Sequence, residues 1–196
     1  MGDDSHYHNR HSIRLKGYDY SRSGGYFVTI CTQNRECVFG EIVEGEMRLS
    51  PVGQIALKCW LEIPEHFPDV ELDVHVVMPN HVHGIVMLND DISGRGLINQ
   101  TPTTDDTHTN PTIAGDWNLM KNPNLTLGKI IRHFKARTCK FIHDAGHPEF
   151  GWQRNYHDHI IRNNNDLHNI RKYIDENPWK WYYDEKNPQN IKLRYD

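Results

Sequence analysis

The sequence predicts an α+β fold: a ferredoxin-like βαββαβ antiparallel sheet with helices on one face and an extra C-terminal helix. Segments rich in β-branched and aromatic residues, typical of strands, alternate with segments in which apolar residues recur at helical spacing. Two of the strand-like segments are joined by just Pro79 and Asn80, which indicates an antiparallel hairpin. We expect the other face of this sheet to be free for a ligand.

The individual elements follow from local signals. Gly24-Gly25 marks a turn before the first strand, and Ser50 with Pro51 has the N-cap and first-turn pattern of a helix start. Pro64 and Pro178 are expected to end the helices that precede them, because proline lacks the backbone donor that a helix interior needs. The predicted elements are strands at 26–32, 70–78, 81–88 and 152–161, a short hairpin at 39–49, and helices at 51–63, 125–145 and 165–177.

The chain of 196 residues fits a single domain, predicted at 10–196 after a disordered N-terminus at 1–9. Residues 90–124 are rich in Thr, Asn, Asp, Gly and Pro and lack periodicity, which predicts a flexible insertion. No apolar run is long enough to span a membrane, and the start of the chain lacks a signal-peptide core. The four cysteines form no CxxC pair, which is typical of free buried thiols in a reducing compartment, so we expect a cytoplasmic protein.

The formal net charge of -4 argues against a nucleic-acid partner, but this charge is unevenly distributed. The helix predicted at 125–145 carries five basic residues against one acidic residue, Asp144. An ordinary solvated helix face is one interpretation. The other is contact with single-stranded DNA through its phosphates, aided by the basic, tyrosine-containing N-terminal arm. The candidate nucleic-acid contacts are Arg14, Lys16, Lys129, Arg132 and Lys135.

His81 and His83 are candidate metal ligands. They lie two residues apart in a predicted strand, so both imidazoles project from the same face of the sheet while Val82 points the other way. Two imidazoles at this spacing can bind a divalent cation through their ring nitrogens. A structural pair of histidines explains the same pattern, so further residues are needed to favour a metal site.

Tyr173 and Asn177 on the last predicted helix are the further candidates, as nucleophile and third metal ligand. They are four residues apart and therefore share a helix face. A tyrosine at the edge of the core is the structural alternative. A free phenol has a pKa of about 10, so it needs help to attack a phosphodiester, and a divalent metal supplies that help by stabilising the charge that develops. The attack gives a covalent tyrosyl-phosphate, which a DNA 3′-hydroxyl can later reverse.

Seven segments of the chain occur in the order found in a known family: Lys16–Tyr20, Tyr26–Thr32, Met78–Gly84, Leu127–Ile131, Trp152–Tyr156, His159–Arg162 and Tyr173–Pro178. Through these segments the chain resembles the single-tyrosine HUH transposases, which include insertion-sequence-200-like and REP-associated tyrosine transposases. This resemblance implies a ferredoxin-like fold, a Mg²⁺ or Mn²⁺ cofactor, and cleavage of single-stranded DNA near hairpins. It also implies that His81 and His83 are ligands, that Tyr173 rather than Tyr156 is the nucleophile, and that Asn177 is the polar residue one turn later.

Two departures from compact family members are the insertion at 90–124 and the extension after Pro178. Two other functions also remain open. A non-catalytic module could bind single-stranded nucleic acid on the sheet face, although no aromatic RNP pair is present. A metal-dependent phosphoesterase would attack with water, and no general base for it is evident. A homodimer is compatible with the sequence but not required by it.

Overall fold

A computed structural model describes residue 15 and the ranges 17–89 and 125–192. The N-terminal segment at 1–9, the insertion at 90–124, and the candidate contacts Arg14 and Lys16 lie outside the described residues. In chain order the elements are β1 (Gly24–Cys31), β2 (Gly40–Val43), β3 (Glu46–Leu49), α1 (Pro51–Leu61), α2 (Ile63–His66), β4 (Val70–Met78), β5 (His81–Leu88), α3 (Leu127–Asp144), β6 (His157–Ile161), α4 (Asn164–Lys180) and α5 (Pro188–Lys192), with 3-10 turns at Gln33–Arg35 and Trp181–Tyr183.

The centre of the fold is a four-stranded antiparallel sheet in the order β4-β5-β1-β6. β2 and β3 form a separate two-stranded hairpin. With that hairpin set aside, the main elements follow the order β1-α1-β4-β5-α3-β6, which is the predicted βαββαβ order. The α+β class is confirmed, and so is the tight hairpin, since Met78 pairs with His81 on either side of Pro79 and Asn80.

The last strand begins later than predicted, at His157 rather than at residue 152. Trp152 forms a single bridge to Thr32, and the chain then leaves the sheet. The physical reason is Lys135 on α3. Its ammonium group donates to the backbone carbonyls of Gln153 and Asn155 at 2.8 and 3.0 Å, so these carbonyls point toward the helix rather than along a strand ladder.

The predicted helix start at Ser50 is confirmed, because its hydroxyl accepts a hydrogen bond from the Gly53 amide at 3.0 Å. The two predicted proline stops are wrong. α1 already ends at Leu61, and Pro64 lies in the first turn of the separate helix α2, where no backbone donor is needed. Pro178 lies inside α4, which continues to Lys180. Only the last turn loses a backbone bond there, so the cost of the proline is small.

The helices cover both faces of the sheet. Gly84 and His83 are neighbours in β5 and therefore point to opposite faces. The Gly84 side packs against the Trp60 ring of α1, in a core that α1 and α3 share with the sheet, and the His83 side meets Tyr173 of α4. The second face is thus partly covered by the C-terminal helix instead of being open.

The prediction that the cysteines are free is confirmed, but the prediction that they are buried is wrong for three of the four. All four cysteines are free, but only Cys59 is buried, and Cys37 is exposed. Among the described residues, no helix combines the length and apolar character needed to cross a membrane.

Gly84→Ala is expected to destabilise the protein by about 1–3 kcal/mol, because its methyl group would overlap the buried Trp60 ring. Gly25→Ala is the control, since its methyl group would meet Met87 Sδ at 3.0 Å and the Ile161 side chain at 3.2 Å, contacts that shifts of a few tenths of an ångström can relieve. Urea unfolding of both variants measures the difference. Equal losses would show that the close approach of Trp60 to the strand is not the constraint.

Candidate active site

The two predicted histidine ligands lie side by side at the start of β5. His81 and His83 are 0% and 1% exposed, and their side chains share the face covered by α4. Their Nε2 atoms approach to 3.0 Å, with the rings edge-to-face at a centroid distance of 4.4 Å. The period of two in a strand therefore brings the two imidazoles together as predicted, and their Nε2 atoms converge.

Each histidine has a hydrogen-bond partner at its Nδ1 atom. The Nδ1 atom of His81 lies 2.8 Å from Asn80 Oδ1, and the Nδ1 atom of His83 lies 2.8 Å from Thr29 Oγ1. Thr29 is the direct cross-strand neighbour of His83 in the β1–β5 pairing. Sequence reasoning missed both partners. Asn80 could have been suspected from its place beside His81, whereas Thr29 becomes visible only when the strand register is known.

Both histidines are neutral at physiological pH. Burial lowers the pKa of His81 well below its ordinary value, and the nearby His83 and the charges of Lys186 and Arg35 lower it further. Burial and the Lys186 charge lower the pKa of His83 to about 3, although a hydrogen bond with the Val28 backbone acts in the opposite direction. A neutral imidazole is the form whose ring nitrogen can bind a cation.

Tyr173 reaches this pair from α4. Its hydroxyl lies 3.5 Å from His83 Nε2, and its ring is edge-on to that of His83 at 5.3 Å. Phe27 of β1 stacks on His83 at 5.3 Å and contacts Tyr173 edge-on at 5.9 Å, so one aromatic ring supports both. Tyr173 remains 38% exposed, and a solvent molecule or a substrate can therefore reach it.

Asn177 lies one turn beyond Tyr173 on α4 and is 2% exposed. Within the described part of the chain its Oδ1 atom has no hydrogen-bond partner. A buried amide oxygen without a partner is costly, which fits a residue that uses this atom to bind a ligand. No group of three or more His, Cys, Asp or Glu side chains within the described ranges could hold a metal. Among the described residues, Asn177 Oδ1 is therefore the candidate third ligand for a metal held by His81 and His83.

The rival tyrosine lies elsewhere. Tyr156 packs beside α3, where the Lys135 ammonium group lies 5.8 Å from its ring centroid. It lines a groove of about 660 Å³ between α3 and the segment before β6, with Arg132, Lys135, Trp152 and Arg154. The histidine pair contributes nothing to that groove.

The candidate nucleic-acid contacts that lie on α3 differ in how far their side chains are free to contact DNA. Arg132 is exposed and Lys129 is half-buried. The Lys135 ammonium group is used to bind the backbone carbonyls at 153–155, and burial lowers its pKa to about 8. Arg154 lines the same groove and was missed, because its position next to α3 depends on the irregular backbone before β6.

Comparisons with known proteins identify relatives. No protein-family model matches the chain. A protein of unassigned function from Haemophilus influenzae is 38% identical over 179 residues, covering 91% of this chain and 93% of that protein. A second Haemophilus influenzae protein, provisionally named a REP-associated tyrosine transposase, is 29% identical over 168 residues, covering 85% of this chain and 77% of that protein.

A solved structure shows the same fold. It is a REP-associated tyrosine transposase bound to a REP hairpin, and it superimposes with a TM-score of 0.52 at 20% identity, covering 86% of this chain and 74% of that one. The solved structure supports the fold, and one of the two sequence relatives carries a tyrosine transposase name. The chain is thus similar in sequence to a protein named as a REP-associated tyrosine transposase and shares its fold with a solved one, and this relationship supports an enzyme of the transposase kind.

Lys135→Met is expected to lower the unfolding free energy by about 1–3 kcal/mol, because carbonyls of residues 153–155 lose a charged donor. Lys140→Met is the matched control on the same helix, since Lys140 forms an exposed ion pair with Asp144 and should cost less than about 1 kcal/mol. Denaturant unfolding compares the two. Equal losses would mean that Lys135 does not hold the segment before β6.

Proposed function

We propose that this protein is a metal-dependent endonuclease and strand transferase for single-stranded DNA, and that it forms a covalent tyrosyl-phosphate through Tyr173. The observation that carries the proposal is the position of the Tyr173 hydroxyl, 3.5 Å from His83 Nε2 and beside two convergent imidazoles. A tyrosine with a purely structural role would not need to lie where two buried nitrogens meet.

His81, His83 and Asn177 are the proposed metal ligands. The buried pair presents neutral imidazole nitrogens, and the Asn177 amide oxygen is without a partner in the described chain. Bound here, Mg²⁺ or Mn²⁺ would polarise a phosphate oxygen and stabilise the negative charge that grows during attack. Imidazole nitrogens favour Mn²⁺ over Mg²⁺.

Tyr173 is the proposed nucleophile. Its phenol oxygen forms a bond to the DNA phosphorus and gives up its proton to solvent, while the bond from phosphorus to the 3′-oxygen breaks and that oxygen takes up a proton. The phosphodiester becomes a tyrosyl-phosphate diester, so no bond is lost to water and a 3′-hydroxyl can reverse the step. Phe27 and His83 fix the direction of the ring, which reduces the conformational freedom lost on attack.

The orientation of α4 is secured away from the tyrosine. Arg171 forms a two-pronged ion pair with Asp73 of β4, with its shortest contact at 2.6 Å. This pair holds the middle of α4 against the sheet, two residues before the nucleophile.

Tyr173 and the histidines belong to the same chain, so the described part of one chain brings these residues together without a partner. Whether the protein forms a homodimer stays an open prediction.

The proposed substrate is single-stranded DNA that carries a hairpin, which agrees with the hairpin bound in the related solved structure. Arg132 and Lys129 on α3 are proposed to contact phosphates, together with Arg14 and Lys16 of the N-terminal arm. Lys135 contributes indirectly by holding the segment before β6. The salt dependence of binding should therefore fall when Arg132 is removed.

Incubation with end-labelled hairpin DNA and Mn²⁺ is expected to give an adduct that survives a denaturing gel. Tyr173→Phe should abolish this adduct, because it removes the attacking oxygen, and EDTA should do the same. Tyr183→Phe is the control: this tyrosine is 83% exposed, and its loss should leave the adduct yield unchanged.

The stability of the variant separates chemistry from folding. Tyr173→Phe should change the unfolding free energy by less than about 0.5 kcal/mol, because the hydroxyl is partly exposed and its contact to His83 is long. An adduct that persists in a stable Tyr173→Phe variant would refute the nucleophile. Cleaved DNA without any adduct would favour the phosphoesterase, and binding without cleavage under any metal would favour the non-catalytic module.

Calorimetric titration with Mn²⁺ tests the ligands directly. His81→Ala and His83→Ala should each weaken binding by at least about tenfold, and Asn177→Ala should weaken it measurably. His157→Ala is the control, since His157 is exposed on the edge strand β6, which pairs with β1 and not with β5. Unchanged Mn²⁺ affinity in both histidine variants would show that the pair is structural.

A further inference from the structure

We propose that the two histidines are held unequally: Asn80 is a positioning residue that fixes the proton of His81 on Nδ1, whereas Thr29 lets His83 carry its proton on either ring nitrogen. The part concerning His83 rests on the proposed metal site, and the part concerning His81 does not. The proposal follows from the donors and acceptors that surround each ring.

The Asn80 side chain has one possible orientation. Its Nδ2 atom donates to the backbone carbonyls of Arg35 and Lys186 at 3.0 and 2.8 Å. If the amide were flipped, its oxygen would face two carbonyl oxygens with no proton between them. Oδ1 is therefore the atom next to His81, and as a carbonyl oxygen it can only accept a hydrogen bond.

The orientation of Asn80 decides the state of His81. Since Oδ1 lies 2.8 Å from His81 Nδ1, that nitrogen must carry the proton and donate it. The neutral ring then has no proton on Nε2, and its electron pair points toward His83. Asn80 is 0% exposed, so water does not compete for these bonds, and the assignment holds whether or not a cation is bound.

Thr29 imposes no such choice on His83. Its hydroxyl can donate to the unprotonated Nδ1 or accept from the protonated one, simply by turning about the C–O bond. Both neutral forms of His83 therefore have hydrogen-bond partners in the fold.

The two forms suit two states of the site. With Nε2 protonated, His83 donates across the 3.0 Å gap to His81 Nε2, and a chain of hydrogen bonds runs from Thr29 through both rings to Asn80. For His83 Nε2 to act as a ligand, its proton must leave and Nδ1 must gain one, while the Thr29 hydroxyl turns from donor to acceptor. The ring stays neutral throughout, so the site adapts without burying a new charge.

Long-range ¹H–¹⁵N correlation spectra of the full-length, ¹⁵N-labelled protein report which ring nitrogen carries the proton. The probe is Zn²⁺ alone, which is diamagnetic and binds imidazole. We expect His81 to be protonated on Nδ1 with and without Zn²⁺. We expect His83 to change from Nε2-protonated to Nδ1-protonated when Zn²⁺ is added.

Variants separate positioning from support of the fold. Asn80→Asp keeps the oxygen that accepts from His81 but loses the two hydrogen bonds that Asn80 donates. His81 should therefore stay protonated on Nδ1 in this variant, even if the melting temperature falls. Asn80→Ala should lose that form and weaken Zn²⁺ binding by about 10–100-fold. Thr29→Val should weaken Zn²⁺ binding by about tenfold, and Thr29→Ser should restore it. Both Thr29 variants should leave His81 unchanged.

Several outcomes would overturn the proposal. A proton on His81 Nε2 in the wild-type protein removes the role of Asn80, even if the Asn80 variants fail to fold. The role of Thr29 is refuted if His83 is protonated on the same ring nitrogen with and without Zn²⁺, or if Zn²⁺ does not bind. The proposed nuclease function is tested separately. If both rings have the expected protonation but no DNA adduct forms, the covalent mechanism is refuted and the histidine assignment stands.

Discussion

The constraint on which the site depends is the burial of β5 from both sides. α1 and α3 cover one face of this strand and α4 covers the other, so almost every residue of β5 is buried. A histidine in such a strand cannot keep a hydration shell and must find partners within the protein. Burial also favours the uncharged ring. Packing thus produces both the close pairing of the imidazoles and their neutrality.

The alternation of side chains along a strand was enough to predict the histidine pair, and helical spacing was enough to put Tyr173 and Asn177 on one face. Neither rule relates β5 to α4. The two elements meet only in the folded domain, where Arg171 of α4 also binds Asp73 of β4, the strand beside β5, and that ion pair joins residues 98 positions apart. The contact between Tyr173 and His83 needed the family resemblance or the structure.

Local sequence rules were wrong at the start of β6 and at the end of α4, and they described the role of Asn80 only in part. The start of β6 was predicted too early because alternation at 152–156 resembles a strand, but the Lys135 ammonium group takes the carbonyls that a strand would use. Pro178 was predicted to end α4, yet the helix has only two residues left to form after it. Asn80 was assigned to a turn, which is correct, although its side chain also joins His81 to the backbone at Lys186.

The contacting residues of the site are far apart in the sequence, and this determines when the site can form. Tyr173 and His83 are 90 positions apart, and Asn80 meets the Lys186 carbonyl across 106 positions. Contacts of this range form only when the two ends of the domain have come together, after the cost of closing a long loop has been met. An unfolded chain therefore contains every reactive side chain but no assembled centre, and a half-synthesised chain lacks Tyr173 as well. Latency until folding is complete is a useful property in a protein whose proposed chemistry breaks DNA.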